Sequence, residues 1–263
     1  MSAPRVLVLR TAGTNCDAEA ARAFEMAGGS VAQRTLAEVL EKPALLGSSR
    51  ILVFPGGFTY GDDVASGAVF AVKLRARLLP PLLEAVEKGA LVIGICNGFQ
   101  ILVRAGLLPG LEGKAVPGEA ALGFNDSARF EDRWVTLEGA TDRSPWIRKG
   151  DLVDCPVAHG EGKFVPRDEG VLRRLREDGR VAFRYRMPDG AAPGAYPHNP
   201  NGSVDDIAGL CDATGRVLGL MPHPERNIHS WHHPGSTRRP PPALAGSGLR
   251  VFENGVRWAR EHG

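Results

Sequence analysis

Apolar residues gather along this chain in short runs, and three of them, residues 6–9, Ile51–Phe54 and Leu91–Ile95, are rich in β-branched side chains and lead into glycine-containing turns. Each is followed, directly or after a loop, by a stretch with helical periodicity, which predicts buried parallel strands in βαβ units. The first helix is expected to start at Thr14 or Asn15, either of which can cap it, and to run through DAEAARAFEMA to Gly28-Gly29. A second covers residues 67–88 and is interrupted or restarted at Pro80-Pro81, because proline lacks an amide donor. A third follows Cys96 and ends near Ala105-Gly106.

Beyond Gly123 the apolar segments shorten and alternate. Residues 134–137, 152–157, 180–185, Ile207–Cys211 and Val217–Leu220 predict a mixed or antiparallel extension of the same sheet. Residues 187–203 and 234–247, the latter with a PPP run, have loop composition. A terminal helix, Leu249–Glu261, is expected to pack Val251, Phe252, Val256 and Trp258 onto the domain. The fold class is α/β, a central largely parallel or mixed sheet flanked by helices, read as a single domain over residues 1–263.

Composition narrows the function classes. A formal charge of +2 over 263 residues gives no electrostatic reason to expect nucleic acid or an anionic membrane as partner. No apolar run approaches the ~20 residues of a membrane helix, and the opening MSAPRVLVLRTAGTN is too short in apolar residues for a secretory signal. A cytoplasmic location is expected. Cys16, Cys96, Cys155 and Cys211 lie far apart without CxxC spacing, so reduced thiols are expected.

One thiol stands apart. Leu91 to Leu102 reads LVIGICNGFQIL, a buried-strand pattern entering Gly94-Ile95-Cys96-Asn97-Gly98 and then a helical pattern. A strand-to-helix turn of this kind presents a nucleophile, with flanking glycines removing side chains that would clash. A thiol there also faces unpaired N–H groups and the helix dipole, which favour the thiolate. A packed structural cysteine between glycines fits the same local pattern.

A nucleophile needs a base and a group that orients the base. His223 and Glu225 in Met221-Pro222-His223-Pro224-Glu225 suit those roles: the prolines favour extended backbone, in which residues two apart share a face. A rigid surface turn is the plainer reading of the same residues. Pro55-Gly56-Gly57-Phe58 follows a predicted strand, and its Gly57 N–H, with the N–H of Asn97, makes a candidate oxyanion hole.

The blocks PGGFTYGD, GICNGFQILVRAGLLPG and GLMPHPER, with RTAGTNCDAE, NDSARFEDRW, PVAHGEGKF and NPNGSVDDIAGL, carry a resemblance across residues 6–233. The chain resembles the class I glutamine amidotransferases, and among them the glutaminase components of phosphoribosylformylglycinamidine synthases of purine synthesis. The resemblance implies a flavodoxin-like architecture and a reaction in which Cys96 attacks the glutamine side-chain amide. His223 would serve as acid and base and Glu225 would orient it. Ammonia would leave, and water would release glutamate from the thioester. The resemblance further implies glutamine contacts from Gly56, Gln100, Ser127, Arg129 and Phe130, with solvated loop residues as the plainer alternative for the loop positions.

It also implies no cofactor in this chain. ATP and Mg would be used by a larger synthetase subunit that amidates formylglycinamide ribonucleotide, with a small bridging subunit in the same complex. The sequence departs from the family pattern at Asp63-Val64-Ala65-Ser66 and in a C-terminal extension from about residue 227. Three rival readings are a metal site in HPERNIHSWHH, a free-standing cysteine hydrolase of γ-glutamyl compounds, and a binding module. The histidine segment lacks HExxH spacing, so no metal is expected. The absence of a GxxxxGK[ST] phosphate loop leaves ATP chemistry to a partner. The intact Cys96, His223 and Glu225 weigh against a mere binding module.

Overall fold

In the computed structural model, which describes residues 2–193, 196–238 and 246–262, the first strands and helices alternate. They are β1 (Arg5–Arg10), α1 (Asp17–Met26), β2 (Ser30–Thr35), α2 (Leu36–Glu41), α3 (Ala44–Gly47), β3 (Ile51–Phe54), α4 (Ala68–Lys73), α5 (Leu79–Glu87), β4 (Leu91–Ile95) and α6 (Asn97–Arg104). There follow β5 (Ala120–Phe124), β6 (Glu131–Gly139), β7 (Leu152–His159), β8 (Glu161–Pro166), α7 (Glu169–Glu177), β9 (Val181–Arg186), β10 (Ile207–Cys211), β11 (Val217–Leu220) and α8 (Leu249–Glu261). Nine strands form one sheet in the order β2-β1-β3-β4-β11-β10-β9-β6-β7, and β5 pairs with β8 separately. None of the described helices is long and apolar enough to cross a membrane.

The sheet has two halves. From β2 to β11 every pairing is parallel, with Phe54 opposite Gly94 and Leu220 opposite Ile95. From β11 to β7 every pairing is antiparallel. Parallel strands end at a common edge, so the chain emerging from β1, β3, β4 and β11 meets there. β7 lies at the far end of the sheet, yet its Pro156 carbonyl accepts a 2.8 Å bond from the His223 N–H just after β11. The antiparallel half therefore curls back over the C-terminal edge of the parallel half.

The strands expected at residues 6–9, 51–54 and 91–95 and the five later segments are all present, as is α8. Six of these elements were not foreseen, the short helices α2 and α3 among them. Strand β2, SVAQRT, is an edge strand with no fully buried side chain, so it lacks an apolar signature. The β5 and β8 pair and helix α7 were also missed, although Asp168 caps α7 at Val171 N and Val171, Leu172 and Leu175 are buried. Helix α1 begins later than expected: Cys16 is its N-cap residue and no side chain caps it. The Thr14 hydroxyl instead accepts the Thr11 N–H, and Asn15 N and Cys16 N both donate to Gly56 O. Between α4 and α5 the helix widens into a π turn over Leu74–Leu78, so the irregularity precedes the prolines, which occupy the first turn of α5, where their missing N–H has no partner to lose.

Helix α8 covers the parallel half: Phe252 meets Phe24 edge-on at 5.0 Å, Gly255 presses on Trp146, and Asn254 donates to Trp146 O. Trp258, expected to bury, is only partly buried and stacks on His262 at 4.4 Å.

Helix α6 crosses the sheet at glycine contacts. A methyl on Gly94 would lie 2.7 Å from Gly98 O, and one on Gly98 would collide with Phe54 O, a backbone atom that cannot step aside. Gly98→Ala is accordingly expected to lower unfolding free energy by about 3 kcal/mol or more. Gly47→Ala, with no atom within 4 Å of the added carbon, should be close to neutral. Chemical denaturation of the two variants checks this; equal stabilities would refute the packing argument.

Candidate active site

Cys96 sits between the last residue of β4 and the first of α6 with φ 52° and ψ −108°. A side-chain-bearing residue holds such angles only where its surroundings enforce them. Its N–H bonds Leu220 O at 2.8 Å and its thiol donates to Ala158 O at 3.7 Å. These bonds aim the side chain off the end of the sheet, between β11 and the returning β7.

His223 and Glu225 meet it there. His223 Nδ1 lies 2.7 Å from Glu225 Oε1, and both residues are 1% exposed. The extended backbone expected for this pair is not what joins them. Pro224–Arg226 is a 3-10 turn, closed by Arg226 N to His223 O and Asn227 N to Pro224 O, and the turn rather than strand alternation swings Glu225 beneath the ring. Proline suits the first position of that turn because its φ is preset. With Nδ1 held, Nε2 faces the Cys96 and Cys16 thiols, although neither is in strict hydrogen-bonding geometry with it. Burial alone would depress the His223 pKa, but the Glu225 carboxylate and the Cys96 thiol reverse this, and protonation is favoured well above the usual histidine value.

The turn after β3 completes the edge. A methyl at Gly56 would lie 2.8 Å from His223 Cε1, 3.1 Å from Cys16 Sγ and 3.4 Å from Cys96 Cβ, so the bare glycine is where these three side chains converge. Gly57 has φ 144°, and a side chain there would meet Gly13, Thr14 and Asn15 within 2.9 Å. Only glycine fits. Among the described residues neither the Gly57 nor the Asn97 N–H has a protein acceptor. The Asn97 side chain accepts from Thr59 Oγ1 at 2.7 Å and donates to Asp62 Oδ1 and Gln100 Oε1, each at 3.0 Å, and so ties α6 to the turn after Gly57.

The remaining expected residues are placed as follows. Gln100 is buried with its amide spanning Asn97 and Glu161 O, the latter at 2.7 Å. The Ser127 hydroxyl donates to Glu131 at 2.6 Å, and Arg129 is exposed. Phe130 is exposed and tilts against Phe58, ring centres 6.4 Å apart. In the departing loop Val64 is exposed with φ 73°, while Ser66 is buried and its carbonyl accepts from Arg104. The four histidines of HPERNIHSWHH do not all converge: His229 stacks on Trp231 at 4.4 Å and meets His232 edge-on at 4.9 Å, while His233 packs edge-on to Trp134 and His223 is buried. Part of the 234–247 loop lies outside the described residues.

Two participants, Cys16 and His159, were not assigned to the site from the sequence. Cys16 is buried at the edge, with Arg226 Nη2 at 3.2 Å from its sulfur and Arg226 Nε on Glu19. Burial raises its pKa, opposed by His223 and Arg226. His159 follows Ala158 in β7, with Nδ1 on Asn125 Oδ1 at 3.0 Å and a buried Nε2 that has no partner. The motif PVAHGEGKF was the available signal for it, but nothing local shows that β7 folds back.

Burial, with His223 nearby, pushes the His159 pKa from 6.5 down to about 3, so the folded ring stays neutral. The unfolded chain takes up a proton as pH falls below 6.5, hence the contribution is whole above that value and is lost as pH falls toward 3. The wild type should lose stability over this interval more steeply than His159→Gln, by up to ~1.4 kcal/mol per pH unit, in urea unfolding series. Parallel slopes would rule this out.

With that geometry established, the chain matches the family of CobB/CobQ-like glutamine amidotransferase domains over residues 3–259. It is 43% identical to phosphoribosylformylglycinamidine synthase subunit PurQ of Dehalococcoides mccartyi, covering 99% of this chain and 100% of that protein. It is 37% identical to phosphoribosylformylglycinamidine synthase of Drosophila melanogaster, over 98% of this chain but 20% of that longer protein. Among solved structures, PurLQS from Thermotoga maritima matches with TM-score 0.72 and 31% identity, covering 97% of this chain and 99% of that one. The mixed sheet, the elbow and these likenesses agree, and the chain belongs to the CobB/CobQ-like glutamine amidotransferase family.

Proposed function

We propose that the chain is the glutaminase subunit of a phosphoribosylformylglycinamidine synthase, and that Cys96, His223 and Glu225 are its catalytic residues. The observation that carries the reading is the meeting of a strained elbow cysteine with a buried His–Glu pair at one edge of the parallel strands. The family membership and the full-length likeness to a PurQ subunit support it.

In this reading the Cys96 thiolate attacks the side-chain amide carbon of glutamine. The developing oxyanion takes hydrogen bonds from the Gly57 and Asn97 N–H groups, each such donor being worth ~10² to 10³ in rate elsewhere. His223 gives its proton to the amide nitrogen, ammonia leaves, and a γ-glutamyl thioester remains. Water then attacks with His223 taking its proton, and glutamate departs from the regenerated thiol. Glu225 holds Nδ1–H throughout, so that Nε2 is the face that works. Gly56 leaves room for the substrate beside the sulfur, and Gln100, Ser127, Arg129 and Phe130 are the proposed glutamine contacts. The Phe58 and Phe130 rings give the site an apolar rim.

Ammonia passes to a larger ATP-dependent synthetase subunit, with a small bridging subunit, for amidation of formylglycinamide ribonucleotide. ATP and Mg belong to that partner. The likeness to one fifth of the longer Drosophila protein supports a division of labour in which the remaining chemistry lies outside this chain. The same comparison weighs against a free-standing γ-glutamyl hydrolase. No residue beyond the site leads us to a second reading.

Reconstitution with the synthetase partner tests this directly. Cys96→Ala should lose glutamine-dependent product formation by at least ~10³-fold while ammonia-dependent formation persists, and Glu225→Gln should lower the glutamine-dependent kcat by ~10² to 10⁴. Full glutamine-dependent activity in Cys96→Ala would sink the proposal.

A further inference from the structure

The loop that carries Ser127, Arg129 and Phe130 has an anchor of its own, which no step of the mechanism above uses. It spans residues 125–130 between the end of β5 and the start of β6, and so joins the two-stranded sheet to the main one. Its tip is exposed at Arg129 and Phe130, whereas Asn125 at its base is only 3% exposed. Ala128 is held at φ 53°, in the left-handed region that favours glycine. A short loop in a conformation its own residues disfavour needs an outside frame.

Asn125 supplies that frame. Its side-chain amide donates across the loop to Arg129 O at 2.9 Å and to His159 O in β7 at 2.7 Å. Both amide hydrogens are thereby used, which leaves Oδ1 as the acceptor for His159 Nδ1 at 3.0 Å. The neutral ring of His159 therefore carries its proton on Nδ1, and the buried Nε2 is bare. The Asn125 backbone N–H adds a bond to Gly160 O at 3.0 Å. Beneath the ring, a methyl on Gly162 would lie 2.8 Å from His159 Nδ1 and Cε1, so the imidazole rests on a bare Cα; Gly160 has nothing within 4 Å of its added carbon. The neighbours of this anchor, Ala158 and Glu161, receive the Cys96 thiol and the Gln100 amide on their carbonyls.

We propose that Asn125 and His159 are positioning residues that shape the 125–130 loop for glutamine, with Gly162 seating the His159 ring. This rests on the glutaminase reading of the site. The pair touches no reacting atom. It fixes the Arg129 carbonyl, and with it the points from which the Arg129 and Phe130 side chains depart, Phe130 lying against Phe58 next to the oxyanion donor Gly57. An amide partner suits the task, because it anchors a neutral imidazole; a carboxylate in its place would favour a second imidazolium near His223. Loss of the anchor weakens substrate binding and spares the chemistry at Cys96, so it acts on KM rather than kcat.

Steady-state kinetics of the complex reconstituted with the synthetase partner test this. Asn125→Asp, which turns the donor to two carbonyls into an acceptor, and Gly162→Ala, which displaces the ring, should each raise the glutamine KM at least ~10-fold, with kcat within about threefold of wild type and ammonia-dependent turnover unchanged. Gly160→Ala should leave KM as it is. His159→Asn, whose amide N–H can stand in for Nδ1–H, should lie nearer the wild-type KM than His159→Leu. A check that needs no variant is the imidazole ¹⁵N spectrum of the wild type, where His159 should show the Nδ1–H tautomer. An unchanged glutamine KM in Asn125→Asp and Gly162→Ala, a fall in kcat at constant KM, or an Nε2–H tautomer at His159 would overturn the positioning role. Those outcomes leave the glutaminase reading intact, since that reading stands or falls on the loss of glutamine-dependent activity in Cys96→Ala.

Discussion

Cys96 is held at φ 52°, ψ −108°, a conformation that costs on the order of 1–3 kcal/mol and survives only under compulsion from its neighbours. The compulsion is the close crossing of α6 over β3 and β4, with Gly98 against Phe54 O and Gly94 against Gly98 O. The helix lies so near the sheet that the chain must reverse within one residue, and that residue is the one whose side chain leaves the edge. Its N–H is fixed by β11 and its first helical neighbour, Asn97, by Thr59 and Asp62. The elbow is thus pinned from both adjacent strands and from the loop after β3.

Around that fixed sulfur the site is dry and charged. His223 and Glu225 are almost wholly buried, so their interaction is little screened, and it reverses the effect that burial alone would have on the imidazole. His159, equally buried but without a carboxylate partner, goes the other way and stays neutral. Two histidines on one edge therefore hold opposite protonation preferences, decided by which has a carboxylate within hydrogen-bonding distance.

Strand β7 and the start of β8 complete the enclosure. Pro156 O fixes the backbone of His223, Ala158 O receives the Cys96 thiol, and Glu161 O receives the Gln100 amide. Three carbonyls from one returning segment touch three separate parts of the site. A slip in β7 pairing would therefore be felt at the nucleophile, the base and the first turn of α6 together.

Residues 91–102 and 219–226 determined much of this by themselves. The elbow glycines, the buried-strand runs and the HPE spacing are local steric and solvent-partition signals, each readable over a few positions. Edge strand β2 and helix α7 escaped because one lacks a buried face and the other is a short helix whose three apolar positions lie among charged side chains. The closeness of His223 to Glu225 was legible, but its backbone route was not, since proline suits both the extended chain and the 3-10 turn that formed. The arrival of Cys16 beside Arg226, 210 positions away, and of Ala158 beside Cys96, 62 positions away, belonged to the tertiary structure alone. Such contacts arise from parallel strands ending at one edge and a sheet curling back over it, and long-range closure of that kind leaves no periodicity in the chain.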